Sequence, residues 1–398
     1  MSLFLLTFLA IYGSAHLYFF IKAKSAFKFG RNRISLLCLF LSVMTAAPII
    51  VRLLERSAHE TPALLMAWIG YCWMGFLFLF VSIAVVVDFL RVASKLQEFF
   101  TRKKFPAFQL NPALVFFVPL ALSSAICIYG FFEARNISME TITIETEKLP
   151  SNTSLRIVQI SDVHLGLLVG EKRLQQILSA VKAAEPDLLV STGDLVDGSI
   201  IRPVDLAAMF QEIKPRYGKY AVTGNHEYYA GLSKSVSFTE SAGFTLLHGN
   251  YLSITNTLIL AGVDDETSHF ITQRPALPEK TFLSGIIPEK FVLFLKHRPE
   301  VDPDSAPFFD LQLSGHFHKG QIFPFNLLTW FRYPVRAGHL NRKNGTLLYV
   351  SRGSGTWGPP IRFLAPPEVT VINLVGIVSS CSSKRSTSQN QHVTTPVD

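Results

Sequence analysis

The sequence predicts two unlike parts: four membrane-spanning helices over residues 1–133, and an α/β domain over residues 153–376. Three observations carry that reading. Four apolar runs in the first third are each long enough to cross a bilayer as helix, which takes about 20 residues. Beyond Leu155, short runs rich in Val, Ile and Leu alternate with stretches of helical spacing, as strands and helices in turn would. Composition agrees: 49% of the 398 residues are hydrophobic and 17% charged, against roughly 25% charged in an ordinary soluble domain.

The apolar runs are Leu3–Ile21, Ile34–Val51, Ala63–Val87 and Ala113–Phe132. Each is too long and too uniformly apolar for an amphipathic helix on a soluble core. The first is not expected to be a cleaved leader, because no cation precedes it and a basic cluster follows it, the reverse of a signal peptide's charge order. Pro48 and Pro119 interrupt the second and fourth runs, which neighbouring helices can accommodate.

Cations set the expected orientation. Lys22, Lys24, Lys28, Arg31 and Arg33 follow the first run, and Arg91, Lys95, Arg102, Lys103 and Lys104 follow the third, so both loops are expected on the cytoplasmic side. After the second run Arg52 and Arg56 stand against Glu55 and Glu60. After the fourth, Arg135 and Lys148 stand against Glu133, Glu140, Glu145 and Glu147. The expectation is therefore a multi-pass protein with its N-terminus and its large C-terminal part outside.

The net charge of +8 invites a nucleic-acid reading, but its location argues otherwise. Residues 1–133 carry +7 and residues 134–398 carry +1, so the α/β part has no basic excess of its own and no nucleic-acid partner is expected. The four cysteines, Cys38, Cys72, Cys127 and Cys381, have neither metal-ligand spacing nor the look of a disulfide framework.

Residues 134–152 read as a linker. Strands are expected at Arg156–Ile160, Leu188–Ser191, Tyr220–Val222, Leu258–Ala261, Phe291–Lys296, Leu311–Leu313, Leu347–Ser351 and Val369–Leu374. Between the first two, Leu174, Ile177, Leu178 and Val181 recur at helical spacing within Glu171–Ala184, which begins a βαβ pattern. Residues 377–398 read as a disordered Ser/Thr/Gln-rich tail.

The informative residues follow the strands. The first strand runs into Asp162-x-His164, where alternation would point both side chains one way. The second runs into Gly193-Asp194 and the third into Gly224-Asn225-His226-Glu227; His297 follows the fifth, and Gly315-His316-x-His318 the sixth. Five of the 11 histidines thus sit just past strands, at the sheet edge where open α/β sheets bind ligands. Taken singly, each is an ordinary turn or a core histidine. Together they supply the carboxylate, amide and imidazole donors of a dinuclear metal site. Such a set, with no Cys, suits Mn, Fe or Zn better than Ca.

This ordered set resembles the calcineurin-like metallophosphoesterase superfamily, over about residues 153–376, and within it the membrane-attached subgroup. Arg352-Gly353-Ser354-Gly355, Pro360-Ile361-Arg362-Phe363 and Pro366-Pro367-Glu368 are similar to that subgroup's C-terminal pattern. The resemblance implies an α/β sandwich. It implies that Asp162, His164 and His318 hold one divalent metal, that Asn225, His297 and His316 hold a second, and that Asp194 bridges them. It also implies that His226 stands near the leaving group as general acid or stabiliser. One departure is that Phe317 and Lys319 stand where the subgroup usually has Thr and Gly.

The expected activity is hydrolysis of a phosphodiester or phosphomonoester, with a lipid-linked substrate suggested by the membrane part. Two ions about 3.5–4 Å apart would clamp the reacting oxygens and lower the pKa of a bound water. Arg298 and Lys319 are candidate substrate contacts, with solvent exposure the competing reading; Arg362 is read the same way. Asp197 and Glu227 are either partners of the ligands or surface acids. His16, within the first run, reads as a helix–helix contact. Two other functions compete. One is a UDP-diacylglucosamine pyrophosphatase-like enzyme of lipid A synthesis, if the domain is cytoplasmic; the other is a non-catalytic membrane receptor or scaffold.

Overall fold

The structure, a computed structural model, describes residues 2–27, 29–102, 111–198, 200, 203–273, 277–343 and 345–378. Lys28, Lys103, Lys104, Cys381 and nearly all of the expected tail lie outside the described residues.

The four apolar runs form helices α1 (Ser2–Ala26), α2 (Arg31–Arg56), α3 (Glu60–Thr101) and α4 (Pro112–Glu133), all long and apolar enough to cross a membrane. Helix α3 exceeds expectation. Its 42 residues span roughly 63 Å at the helical rise, about twice a bilayer's hydrocarbon core. Arg91 and Lys95, expected in a loop, therefore lie on its continuation. The helices meet through aromatic rings: Phe19 packs on Phe80 with centroids 4.7 Å apart, and Phe80 on Phe116 at 5.5 Å. His16 is a helix–helix contact. The Trp73 indole N–H donates to its Nε2 at 2.9 Å, which leaves Nδ1–H to donate to the Tyr12 carbonyl at 2.8 Å. Both ring nitrogens are thus satisfied in a neutral imidazole. Asp88 on α3 accepts from Lys22 and Tyr18 of α1.

The remaining chain folds as two six-stranded sheets packed face to face. The strands are β1 (Ser138–Thr146), β2 (Ser154–Ile160), β3 (Leu188–Ser191), β4 (Lys219–Ala221), β5 (Thr245–Leu246), β6 (Asn250–Ser253), β7 (Leu258–Gly262), β8 (Phe291–Leu295), β9 (Leu311–Ser314), β10 (Leu340–Lys343), β11 (Thr346–Val350) and β12 (Glu368–Gly376). One sheet has the order β1-β12-β2-β3-β4-β5 and the other β10-β11-β9-β8-β7-β6. Strands β2 to β5 run parallel, as do β7, β8, β9 and β11. Parallel strands covered on both faces are apolar throughout, which is why β3 and β8 are buried at every residue. Between the sheets lies a core that includes Ile157, Val190, Leu260, Leu293, Leu313, Tyr349 and Ile372.

The helices of this part are α5 (Glu171–Ala183), α6 (Pro203–Gln211), α7 (Asn225–Ala230), α8 (Leu232–Ser241), α9 (Thr267–Thr272), α10 (Glu279–Leu283) and α11 (Phe325–Arg332). Helix α5 buries Leu174, Ile177, Leu178 and Val181, the residues whose spacing predicts it.

One expectation needs correction. Residues 134–152 are not simply a linker, because residues 138–146 form β1, paired in parallel with β12 at the sheet edge. The α/β domain is in direct contact with the helices. It rests on α3 and α4: the Arg362 N–H donates to the Gly130 carbonyl at 3.0 Å, and Glu133 accepts from the Leu364 and Ala365 N–H groups. Leu79, Ile322 and Ile361 form a buried cluster across the junction, flanked by Phe78, Ile126, Phe131 and Phe363.

Candidate metal centre

The site lies where β2, β3, β4, β8 and β9 end. The loops after β2 and β3 run side by side, the His164 N–H donating to the Asp194 carbonyl and the Leu165 N–H to that of Leu195, each at 2.9 Å. Strand alternation is not what aims Asp162 and His164. Both lie beyond β2, with φ of 51° and 54°, and Asp194, His316 and His318 are also left-handed at 52°, 83° and 49°. Such conformations cost non-glycine residues on the order of 1–3 kcal/mol each and gather at functional sites. Glycines let the loops close: a Cβ on Gly224 would strike the Asp194 carboxylate, and one on Gly315 the Asp162 carboxylate.

The expected donors converge. Atoms of Asp162, His164 and His318 lie within 4.8 Å of one another, as do those of Asp194, His297 and His316 and those of His164, Asp194 and His226. His164 Nε2 faces His318 Nε2 at 2.9 Å. His297 gives its Nδ1–H to the Thr192 carbonyl at 2.8 Å, which turns Nε2 toward Asp194 Oδ2 at 3.1 Å, His316 Nδ1 at 3.1 Å and Asn225 Oδ1 at 3.3 Å.

Electrostatics divides the histidines. Burial, then repulsion from His226, pushes His164 down to about 4; burial, then His297, pushes His316 down to about 3. His318 is held well below the usual range by burial and by Arg362. These three are neutral at pH 7, with lone pairs to offer. Burial opposes charge on His297 and His226 as well, but the surrounding carboxylates outweigh it, Asp194 foremost, raising them to about 10 and about 9. Asp194 is itself driven well below the carboxylate range; burial opposes this, but His297 and His226 prevail. An ionised carboxylate beside these three neutral imidazoles suits a divalent cation, and His297 would give up its Nε2 proton to bind one. The residues therefore fit metal ions.

Asp197 and Glu227 are partners of these groups and not surface acids. Asp197 accepts from His226 Nδ1. Glu227, at the first turn of α7, accepts from the N–H groups of Gly224 at 2.7 Å and of Asp194 and Val196 at 3.0 Å. It fastens the loop bearing Asp194 to the one bearing Asn225 and His226. Burial, then Asp194, raises its pKa to about 7.

The candidate substrate contacts fare differently. Arg298 is engaged by Asp265, its Nε donating at 2.8 Å and a second guanidinium nitrogen at 3.2 Å. Lys319 follows the last ligand, half-buried at a left-handed φ of 53°. Arg362 is fully buried, not exposed. It donates to the carbonyls of Arg352, Gly353, Gly355 and Ala365 and, at 2.9 Å, to His318 Nδ1, which fixes that ring.

Sequence reasoning used Arg52 only for orientation and missed its place at the site. Near the end of α2, it lies 4.0 Å from Asp197 and 3.3 Å from Glu55. With Val51 and Tyr71 it forms one wall of a narrow cleft, whose other wall includes His164, Leu167, Leu168 and Asp197. A cation near an apolar run has no sequence signal pointing at a site 112 residues further on.

Known proteins resemble this part of the chain. A sequence model of the family Calcineurin-like phosphoesterase matches residues 155–320. An uncharacterized metallophosphoesterase of Aquifex aeolicus is 40% identical over 250 residues, which cover 62% of this chain and 95% of that protein. The chain belongs to the calcineurin-like phosphoesterase family. Another relative, the transmembrane protein with metallophosphoesterase domain of Danio rerio, is 32% identical over 268 residues, 64% of this chain and 61% of that protein. An uncharacterized metallophosphoesterase of Campylobacter jejuni is 28% identical over 381 residues, 92% and 97% of the two chains, so that this family member's likeness extends into the membrane half.

Proposed function

We propose that this protein is an integral membrane phosphoester hydrolase working with two divalent ions, its catalytic domain on the extracytoplasmic side. The observation that carries the reading is the convergence of six donor residues, three of them imidazoles held neutral, around the buried carboxylate of Asp194. Asp162, His164 and His318 would hold one ion, Asn225, His297 and His316 the other, and Asp194 would bridge them; Mn, Fe or Zn suits the donors. When bound, the ions neutralise phosphate charge and make water a nucleophile at ordinary pH. His226, kept protonated by Asp194 and Asp197, is the group that would give a proton to the leaving oxygen. Glu227 and Arg362 hold the ligands in place.

The substrate we infer is a phosphoester linked to a lipid. The support is the cleft beside His164, one wall of which is supplied by α2 and α3, so a bound ester would lie between the metal ligands and membrane helices. Lys319, next to His318, and Arg52, in the wall of the cleft, are the cations we assign to its phosphate. The orientation rests on the cations that follow the first and third spans.

Asp194→Ala and His316→Ala test the catalytic reading. Each is expected to abolish hydrolysis of an aryl phosphate ester by the full chain in detergent, and chelation followed by added Mn or Zn to abolish and restore it in the parent. Undiminished turnover in both variants would refute the reading. A reporter fused after Asp398 tests the orientation: a cytoplasmic signal would favour a nucleotide-linked lipid made in that compartment.

A further inference from the structure

Helix α11 is amphipathic the wrong way round for water. Asn326 and Thr329 are half-buried, Tyr333 just beyond the helix is buried, and Thr329 bonds the Asn326 carbonyl. Its large apolar side chains point outward instead: Leu328 is 61% exposed, Trp330 59% and Phe331 80%, with Phe325 and Leu327 also exposed. No residue of the helix is buried. A helix on a soluble surface buries its apolar stripe and wets its polar one; contiguous exposed apolar surface marks a binding face.

What covers this face follows from its neighbours. The Phe325 ring stands 6.1 Å from Phe78, inside the apolar run of α3, and Ile322, just before the helix, packs on Leu79 of the same run. Phe363 meets Tyr129 of α4 at 6.1 Å. The exposed face thus continues the apolar surface of the membrane helices, at the depth of residues 78–79. It ends in Arg332, ion-paired with Glu300. A tryptophan among aliphatic and phenyl side chains, with a cation at one end, is the composition of a helix lying in the boundary between lipid tails and headgroups.

We propose that α11 lies in the membrane plane, immersed in the leaflet on the side of the α/β domain. The partner it fits is the lipid itself. The consequence for the site is positional: α11 begins seven residues after His318, and Gln321, between them, donates to the Trp357 and Pro359 carbonyls of the loop beside His226. Immersion of α11 thereby sets the edge of the metal centre at the level of the lipid headgroups.

The test is the depth of Trp330 in the full chain, reconstituted in nanodiscs of phosphatidylcholine. The emission of Trp330 is isolated as the difference between the parent protein and Trp330→Phe, a substitution that keeps the helix and its apolar face. In nanodiscs whose acyl chains carry bromine, that difference signal is expected to fall by more than half, and aqueous iodide is expected to leave it nearly unchanged. Quenching by iodide with none by bromolipid would place the helix in water and overturn the proposal. Protection from both quenchers would also overturn it, since the face would then be covered by protein; crosslinking would show whether a second copy supplies the cover. Because neither readout uses turnover, the outcome stands whether or not the proposed hydrolysis is found.

Discussion

Truncating Glu227 removes a fastening that three backbone groups share. Its carboxylate accepts from the buried N–H groups of Gly224, Asp194 and Val196, at 2.7, 3.0 and 3.0 Å. A neutral hydrogen bond contributes about 1 kcal/mol and a charge-assisted one about 1.5–3. With a pKa near 7 the carboxyl is about half ionised at neutral pH, so three bonds give roughly 3–6 kcal/mol. Water entering the space left by alanine recovers part, and the expected loss for Glu227→Ala is about 3–5 kcal/mol, as for other broken buried charged contacts. Glu227→Gln keeps the shape but offers one acceptor oxygen to three donors, and its NH₂ faces a donor; about 1–3 kcal/mol is expected. The assay pairs thermal unfolding of the full chain in detergent with metal content per chain. Both should fall in the order parent, Gln, Ala, with metal lost first because the loops bearing Asp194 and Asn225 separate. An alanine variant with parental melting temperature and metal content would refute the reasoning.

Three further outcomes are expected. His226→Asn should lower kcat by roughly 10²–10⁴-fold with metal content unchanged, and less for an ester with a better leaving group; equal loss across leaving groups would remove His226 from proton donation. Arg52→Gln should raise KM for an anionic phosphoester on the order of tenfold, with kcat nearly constant, as steady-state kinetics on the two proteins would read; an unchanged KM removes Arg52 from the site. The fragment 134–398, cut free of its helices, should aggregate, because Ile322, Ile361 and Phe363 lose their cover on α3 and α4 and Leu364 and Ala365 lose the Glu133 carboxylate. Size-exclusion chromatography in the absence of detergent checks this, and a monodisperse fragment would contradict it.

What the sequence made legible depended on burial. Strands β3 and β8, covered on both faces, announce themselves as unbroken apolar runs. The short edge strands β5, β6 and β10 do not, being mostly exposed and polar. Strand β1 alternates in burial but is rich in Thr and Glu, and its partner β12 lies more than 220 residues away, so it reads as a linker. The candidate ligands are legible because residue type and order alone single them out. Their left-handed backbone is not, since Asp and His give little sign of φ. Arg362 was hidden for the opposite reason: arginines are seldom fully buried, and nothing local distinguishes one that bonds a histidine from one in water.

Arg362 also joins two systems that are usually separate. Its backbone N–H is bonded to Gly130, in the last turn of α4, and its side chain to His318. A transmembrane helix adjusts its tilt when the bilayer thins or thickens. Here such a tilt would move the amide of the same residue whose side chain bonds a candidate metal ligand. If the chain hydrolyses phosphoesters as proposed, its turnover is then expected to vary with membrane thickness. Turnover in bilayers of graded acyl length, at fixed headgroup, would measure it.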